Sequence, residues 1–106
     1  MDNKPICITD INGNKKWFID GEYHREDGPA IEEKNGTKQW YINGVLHRLD
    51  GPAYIDNWNT ISWFINGYEI TEKIFKWAKE NDIDLDNLSD VDKALIKIVW
   101  TDYKIT

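Results

Sequence analysis

At 106 residues, with 41% hydrophobic and 30% charged side chains, the chain has the make-up of one globular domain and not of a disordered segment. A net charge of −6, from 19 acidic against 13 basic residues, disfavours direct binding to nucleic acid or to anionic lipid. The lone cysteine, Cys7, excludes an intrachain disulfide, and no apolar run approaches the roughly 20 residues that cross a bilayer.

No secretion signal is read in "MDNKPICITD", so the expectation is a cytoplasmic protein with no membrane role. The first predicted element is a β unit: Trp17-Phe18-Ile19 is an aromatic and β-branched run closed by Asp20-Gly21, a tight-turn signal. After a short link comes "HREDGPA", residues 24–30, in which Asp27-Gly28-Pro29 predicts a second turn. There glycine tolerates unusual dihedrals and proline starts the next strand. "PAIEE" then runs back, and "KNG" turns the chain again.

The whole unit recurs. Aligned on residues 17–39, residues 40–62 match at ten of 23 positions: Trp, Ile, Gly, His, Arg, Asp, Gly, Pro, Ala and Thr. "HRLDGPA" at 47–53 repeats the heptapeptide, and a third partial copy opens at Trp63 with "WFINGYEI". A period of this length indicates an array of supersecondary units. The prediction for residues 1–70 is an antiparallel β-meander of 23-residue hairpin repeats, roughly two strands per period. Alternation puts Trp17, Trp40 and Trp63 on one face with Ile19, Ile42 and Ile65, and Phe18, Tyr41 and Phe64 on the other. A single-layer sheet with an aromatic ladder on each side follows, with small alanines between the indoles.

From residue 71 the periodicity becomes helical. Thr71 is the expected N-cap of a first helix carrying Ile74, Trp77 and Ala78 on one stripe. Ser89 and Asp92 have capping-box spacing for a second, whose predicted core face is Val91, Leu95, Ile98 and Val99. The fold class is therefore α+β, with a helical hairpin over 71–106 packed on the 1–70 sheet as one compact unit. Between the helices six of the 13 residues from Glu80 to Asp92 are acidic and none is basic. Asp82, Asp84, Asp86 and Asp90 fall at calcium-loop positions one, three, five and nine, but Asn87 and Lys93 replace the required glycine and glutamate. An acidic loop favouring the next helix N-terminus is the preferred reading, with no metal or other cofactor expected.

The aromatic strand closed by a glycine, followed by G-x-x-H and a further glycine at a 23-residue period, resembles the MORN repeat over residues 17–70. The resemblance implies an elongated antiparallel sheet that acts as a scaffold or binding platform. The chain departs from that motif, because Arg25 and Arg48 follow the histidines and Gly28 and Gly51 fall one residue late. Its variant "WYxNGxxHRxDGPA" is similar to repeats of phages and large DNA viruses.

Two readings of His-Arg-x-Asp compete. His24, Asp27, His47 and Asp50 have the residue types of a metal or acid/base site, which would make a metal-dependent hydrolase. The preferred reading makes His24, Asp27, Gly28, Pro29, His47, Asp50, Gly51 and Pro52 structural: His and Asp bond to each other or to turn backbone, and Arg lies over an aromatic ring. A motif recurring at fixed interval serves architecture better than a convergent active site. The expected function is a non-enzymatic binding module for a protein with a basic surface, a host protein if the viral resemblance holds, and on that reading an inhibitor of a host defence or nucleic-acid enzyme. Arg25, Trp40, Tyr41, Arg48 and Trp58 are its candidate contacts. A homo-oligomeric scaffold joined through open sheet edges is the third reading.

Overall fold

The computed structural model describes residues 4–104. Among these residues, eleven short strands precede two helices. They are β1 (Ile6–Thr9), β2 (Lys15–Ile19), β3 (Glu22–Tyr23), β4 (Ile31–Glu32), β5 (Lys38–Gln39) and β6 (Tyr41–Ile42). Then follow β7 (Val45–Leu46), β8 (Tyr54–Ile55), β9 (Ile61–Ser62), β10 (Phe64–Ile65), β11 (Tyr68–Glu69), α1 (Thr71–Glu80) and α2 (Asp90–Trp100). The α+β class and the antiparallel meander are as the sequence predicts.

The main sheet runs β1-β2-β4-β5-β8-β9, with β3 also paired to β2, while β6-β7 and β10-β11 form separate hairpins. The aromatic segment of the later repeats is thus broken at Trp40 and at Trp63. Its first half stays in the sheet; its second half leads into a hairpin. Neighbouring hairpins are joined through the backbone: Gly44 N donates to Tyr23 O, Arg25 N to Tyr41 O, Gly67 N to Leu46 O and Arg48 N to Phe64 O.

Turn chemistry sets the period. Asp20-Gly21, Asn43-Gly44 and Asn66-Gly67 each carry two successive positive φ angles, as a tight two-residue hairpin turn requires. At the opposite end of the strands, Asp10 and Asp56 each accept backbone N–H groups two and four residues on. Those bonds, from Asn14 first, hold the Asp10 carboxyl below its ordinary pKa.

The core lies under the third repeat. Trp63, Ile65 and Ile70 from the sheet region cluster with Ile74 of α1 and with Ile96 and Trp100 of α2, and Leu49, Trp77, Leu85 and Leu88 pack against them. One cluster thus joins the 1–70 and 71–106 segments. In the first two repeats the buried residues include Ala30, Ala53 and Ile31.

Two expectations about the helices fail. The cap residue of α1 is Ile70, with no side-chain cap bond. The Thr71 hydroxyl instead turns to the sheet, accepting from Trp63 N at 2.9 Å and donating to Glu69 Oε2 at 3.0 Å. The Ser89–Asp92 capping box of α2 does form. Its predicted core face does not: Val91 and Ile98 are 69% and 79% exposed, and Leu95 and Val99 are also exposed. Ile96 and Trp100, four residues apart, face inward instead, and the indole meets Trp77 edge-on at 6.0 Å. A helix whose apolar arc is wider than its contact buries the side that hides most area, and a tryptophan decides that.

The two aromatic ladders also differ from expectation. On one face Phe18, Tyr23 and Tyr41 are in sequence at 5.0 and 5.2 Å, so a tyrosine of β3 bridges the two repeats. On the other, an arginine covers each of the first two indoles.

Candidate interaction groove

Each heptapeptide closes on itself. The Arg25 Cζ lies 3.9 Å from the Trp17 ring centroid, and the Arg48 Cζ lies 3.9 Å from that of Trp40. Arg25 Nε donates to Asp27 Oδ1 at 2.9 Å and Nη1 to Pro29 O at 3.1 Å; Arg48 makes the same bonds to Asp50 at 2.9 Å and Pro52 at 3.0 Å. The glycine completes the arrangement by its size. A Cβ at Gly28 would stand 2.9 Å from Arg25 Cζ, and one at Gly51 would stand 2.6 Å from Arg48 Cζ. Neither glycine has a left-handed φ. The dihedral reason expected for them is replaced by a steric one: the guanidinium lies between glycine and indole.

The histidines tie repeat to repeat. Asn43 N donates to His24 Nδ1 at 3.0 Å, and Asn66 N donates to His47 Nδ1 at 2.9 Å. Each imidazole thus fixes the hairpin turn of the following unit and carries its proton on Nε2. Burial lowers the His47 pKa, which favours that neutral form. His24 Nε2 is 3.5 Å from Glu26 Oε1. Of the two partners expected for the histidines, turn backbone is the one found, and each aspartate serves the arginine instead of the imidazole. No group of three or more His, Cys, Asp or Glu side chains there is placed to hold a metal ion. In the acidic loop the Asp84 carboxylate accepts from Asp86 N, and Asp90 sits in the first turn of α2.

The third repeat departs where the chain becomes helical. Ile70 and Thr71 stand at the positions of His24-Arg25 and His47-Arg48. Trp63, with no arginine to cover it, is fully buried beneath the helices.

Where the two motifs adjoin there is a groove of about 820 Å³. Arg25, Glu26, Asp27 and Gly28 line one side and His47, Arg48, Leu49 and Asp50 the other. Trp40 and Ile42 lie between them, and Lys97 of α2 contributes a basic end. Of the five predicted contacts, Arg25, Trp40 and Arg48 come together here. Tyr41 faces the opposite side of the sheet, where desolvation and then Tyr23 raise its pKa. Trp58 is 83% exposed in the turn at the other end of the strands. Sequence reasoning missed Glu26, Leu49 and Lys97. The first two occupy the variable position of the heptapeptide, whose one-residue offset from arginine was legible; nothing in the sequence brings Lys97 to the sheet.

No helix among the described residues is long and apolar enough to cross a membrane. No family model matches the chain, and neither does any curated protein or solved structure.

Proposed function

We propose that the chain is a non-enzymatic protein-binding module, in which the groove over Trp40 seats a partner side chain and the acidic segment after α1 meets the partner's basic surface. The observation that carries this reading is the disposition of the two motifs. Their arginines are held by an indole, a carboxylate and a carbonyl, so the groove is rigid before a partner arrives. A preformed wall of aromatic and arginine side chains has the composition of an interface anchor.

Charge completes the surface. Asp90 lies on the same flank of α2 as Lys97, about 10 Å along the axis at 1.5 Å per residue. From the groove, the surface thus leads to the exposed carboxylates of Asp82, Asp84 and Asp86. Such a field speeds encounter with a basic protein and adds specificity. If the phage or viral resemblance is sound, that partner is a host protein and occupation of its basic cleft inhibits it.

The test is affinity capture with the tagged chain at low and high salt. A basic protein that is released by salt and lost with an Asp82→Lys, Asp86→Lys, Asp90→Lys variant of unchanged melting temperature supports the reading. Capture of the same proteins by that variant and by Glu26→Lys, a change at an exposed side chain of the groove, defeats it.

A further inference from the structure

We propose that the free edge of β1 pairs antiparallel with β1 of a second copy, joining two sheets into one. In the 23-residue frame β1 stands where β4 and β8 stand later, Cys7 corresponding to Ala30 and Ala53. β4 lies between β2 and β5, and β8 between β5 and β9, whereas among the described residues β1 pairs only with β2. At the other end of the sheet, β9 leads into a backbone N–H that a side chain satisfies. Trp17 N and Trp40 N donate to Ala30 O and Ala53 O, but Trp63 N donates to Thr71 Oγ1, so a side chain replaces the next strand. Asn66 Nδ2 then holds the carbonyls of Thr101 and Tyr103 against the last hairpin.

The register follows from the backbone. Cys7 lies opposite Trp17, whose N–H turns away from β1 to Ala30 O. Cys7 therefore points its own N–H and C=O outward, and by alternation so does Thr9. A two-fold axis at Ile8 pairs Cys7 with Thr9 of the second copy twice and makes four backbone bonds. An axis at Cys7 would bring Pro5, which has no N–H, opposite Thr9 and leave a carbonyl unmatched.

Pro5 precedes the strand, but within Ile6–Thr9 the usual protections are absent. Its sequence, Ile6-Cys7-Ile8-Thr9, has no charge and no proline, and both isoleucines are exposed. Nor does the net charge oppose self-pairing. Lys15 and Lys16 lie on the adjacent strand, while the acidic run belongs to the helical segment that packs on the third repeat, five strand spacings or about 24 Å across the sheet from β1. Screening over about 8 Å at physiological salt isolates the two. A second copy brings the same uncharged strand, already extended, and nothing has to unfold.

Sedimentation equilibrium from micromolar to millimolar concentration tests this. The mass should rise from 12.5 kDa toward twice that value. Thr9→Pro and Ile8→Lys should each remain monomeric with unchanged circular dichroism. In a Cys7→Ser background, Ile8→Cys should cross-link under a mild oxidant, because facing residues in such a pair have Cα atoms about 4.5 Å apart. A wild-type chain monomeric at millimolar concentration overturns the proposal. So does a dimer that survives both edge variants, as one formed through the outer face of α2 would. Glu26→Lys, at an exposed side chain on the groove, leaves this dimer intact whatever it does to partner capture, so the two readings fail separately.

Discussion

Gly51→Ala isolates the three-layer contact of glycine, guanidinium and indole. The new Cβ would lie 2.6 Å from Arg48 Cζ, well inside contact distance, and the atom it meets is the end of a flexible side chain. Since the Gly51 φ is not left-handed, alanine adds no backbone strain, and the arginine yields. Leaving the indole forfeits about 0.5–1 kcal/mol of cation–π attraction. Losing the Asp50 pair costs about 0.5 kcal/mol at this partly exposed site, and the bond to Pro52 O about 1 kcal/mol. Replacing glycine stiffens the unfolded chain and returns about 0.5 kcal/mol. The net expectation is a destabilisation of about 1.5–2 kcal/mol, or roughly 6–16 °C in melting temperature for a domain of this size. Urea unfolding followed by tryptophan fluorescence measures it. In an Arg48→Ala background the same substitution should be neutral or slightly stabilising, because nothing is left to displace. Additive effects of the two changes, or a single Gly51→Ala within about 0.3 kcal/mol of wild type, would refute the steric account.

Three other substitutions probe the remaining claims. Thr71→Val leaves the Trp63 N–H without its acceptor and should cost about 1–3 kcal/mol by thermal unfolding, while Thr71→Ser retains most of the stability. His47 contributes stability that is complete above its ordinary pKa of 6.5 and is lost as pH falls through its lower folded pKa, where Nδ1 gains a proton and can no longer accept from Asn66 N. Unfolding curves between pH 8 and pH 5 should therefore converge for wild type and His47→Ala at the acid end, to the extent of this site. Ile98→Asp should change stability by less than about 0.5 kcal/mol, whereas Ile96→Ala should cost about 2–5 kcal/mol, the reverse of the order the helical wheel predicts from the sequence.

Much of the fold is legible in the sequence because the residues that specify it act locally. Asn43-Gly44 and Asn66-Gly67 set their own dihedrals, and Ser89 with Asp92 caps a helix within one turn. Positions that depend on what arrives from elsewhere are misread. Thr71 has the identity of an N-cap, yet the sheet leaves it a backbone N–H to satisfy, and that bond takes its hydroxyl. Val91, Leu95, Ile98 and Val99 form a valid apolar stripe beside Ile96 and Trp100, and only the packed sheet chooses between them. Within the candidate site, arginine over indole is anticipated and its register is not. Gly28 and Gly51 look like turn glycines, since a sequence shows the missing side chain but not the guanidinium that takes its place.

Each imidazole binds the turn of its successor, and the groove needs a motif on either side. The groove therefore belongs to the seam and not to the unit. A chain with more whole periods would gain one such groove per added seam, evenly spaced along the sheet, and a chain shortened by one period, with Tyr23 joined directly to His47, would keep the His47–Asn66 joint while losing the groove altogether. Copy number, and not new side-chain chemistry, would then set how many partner residues the surface can hold.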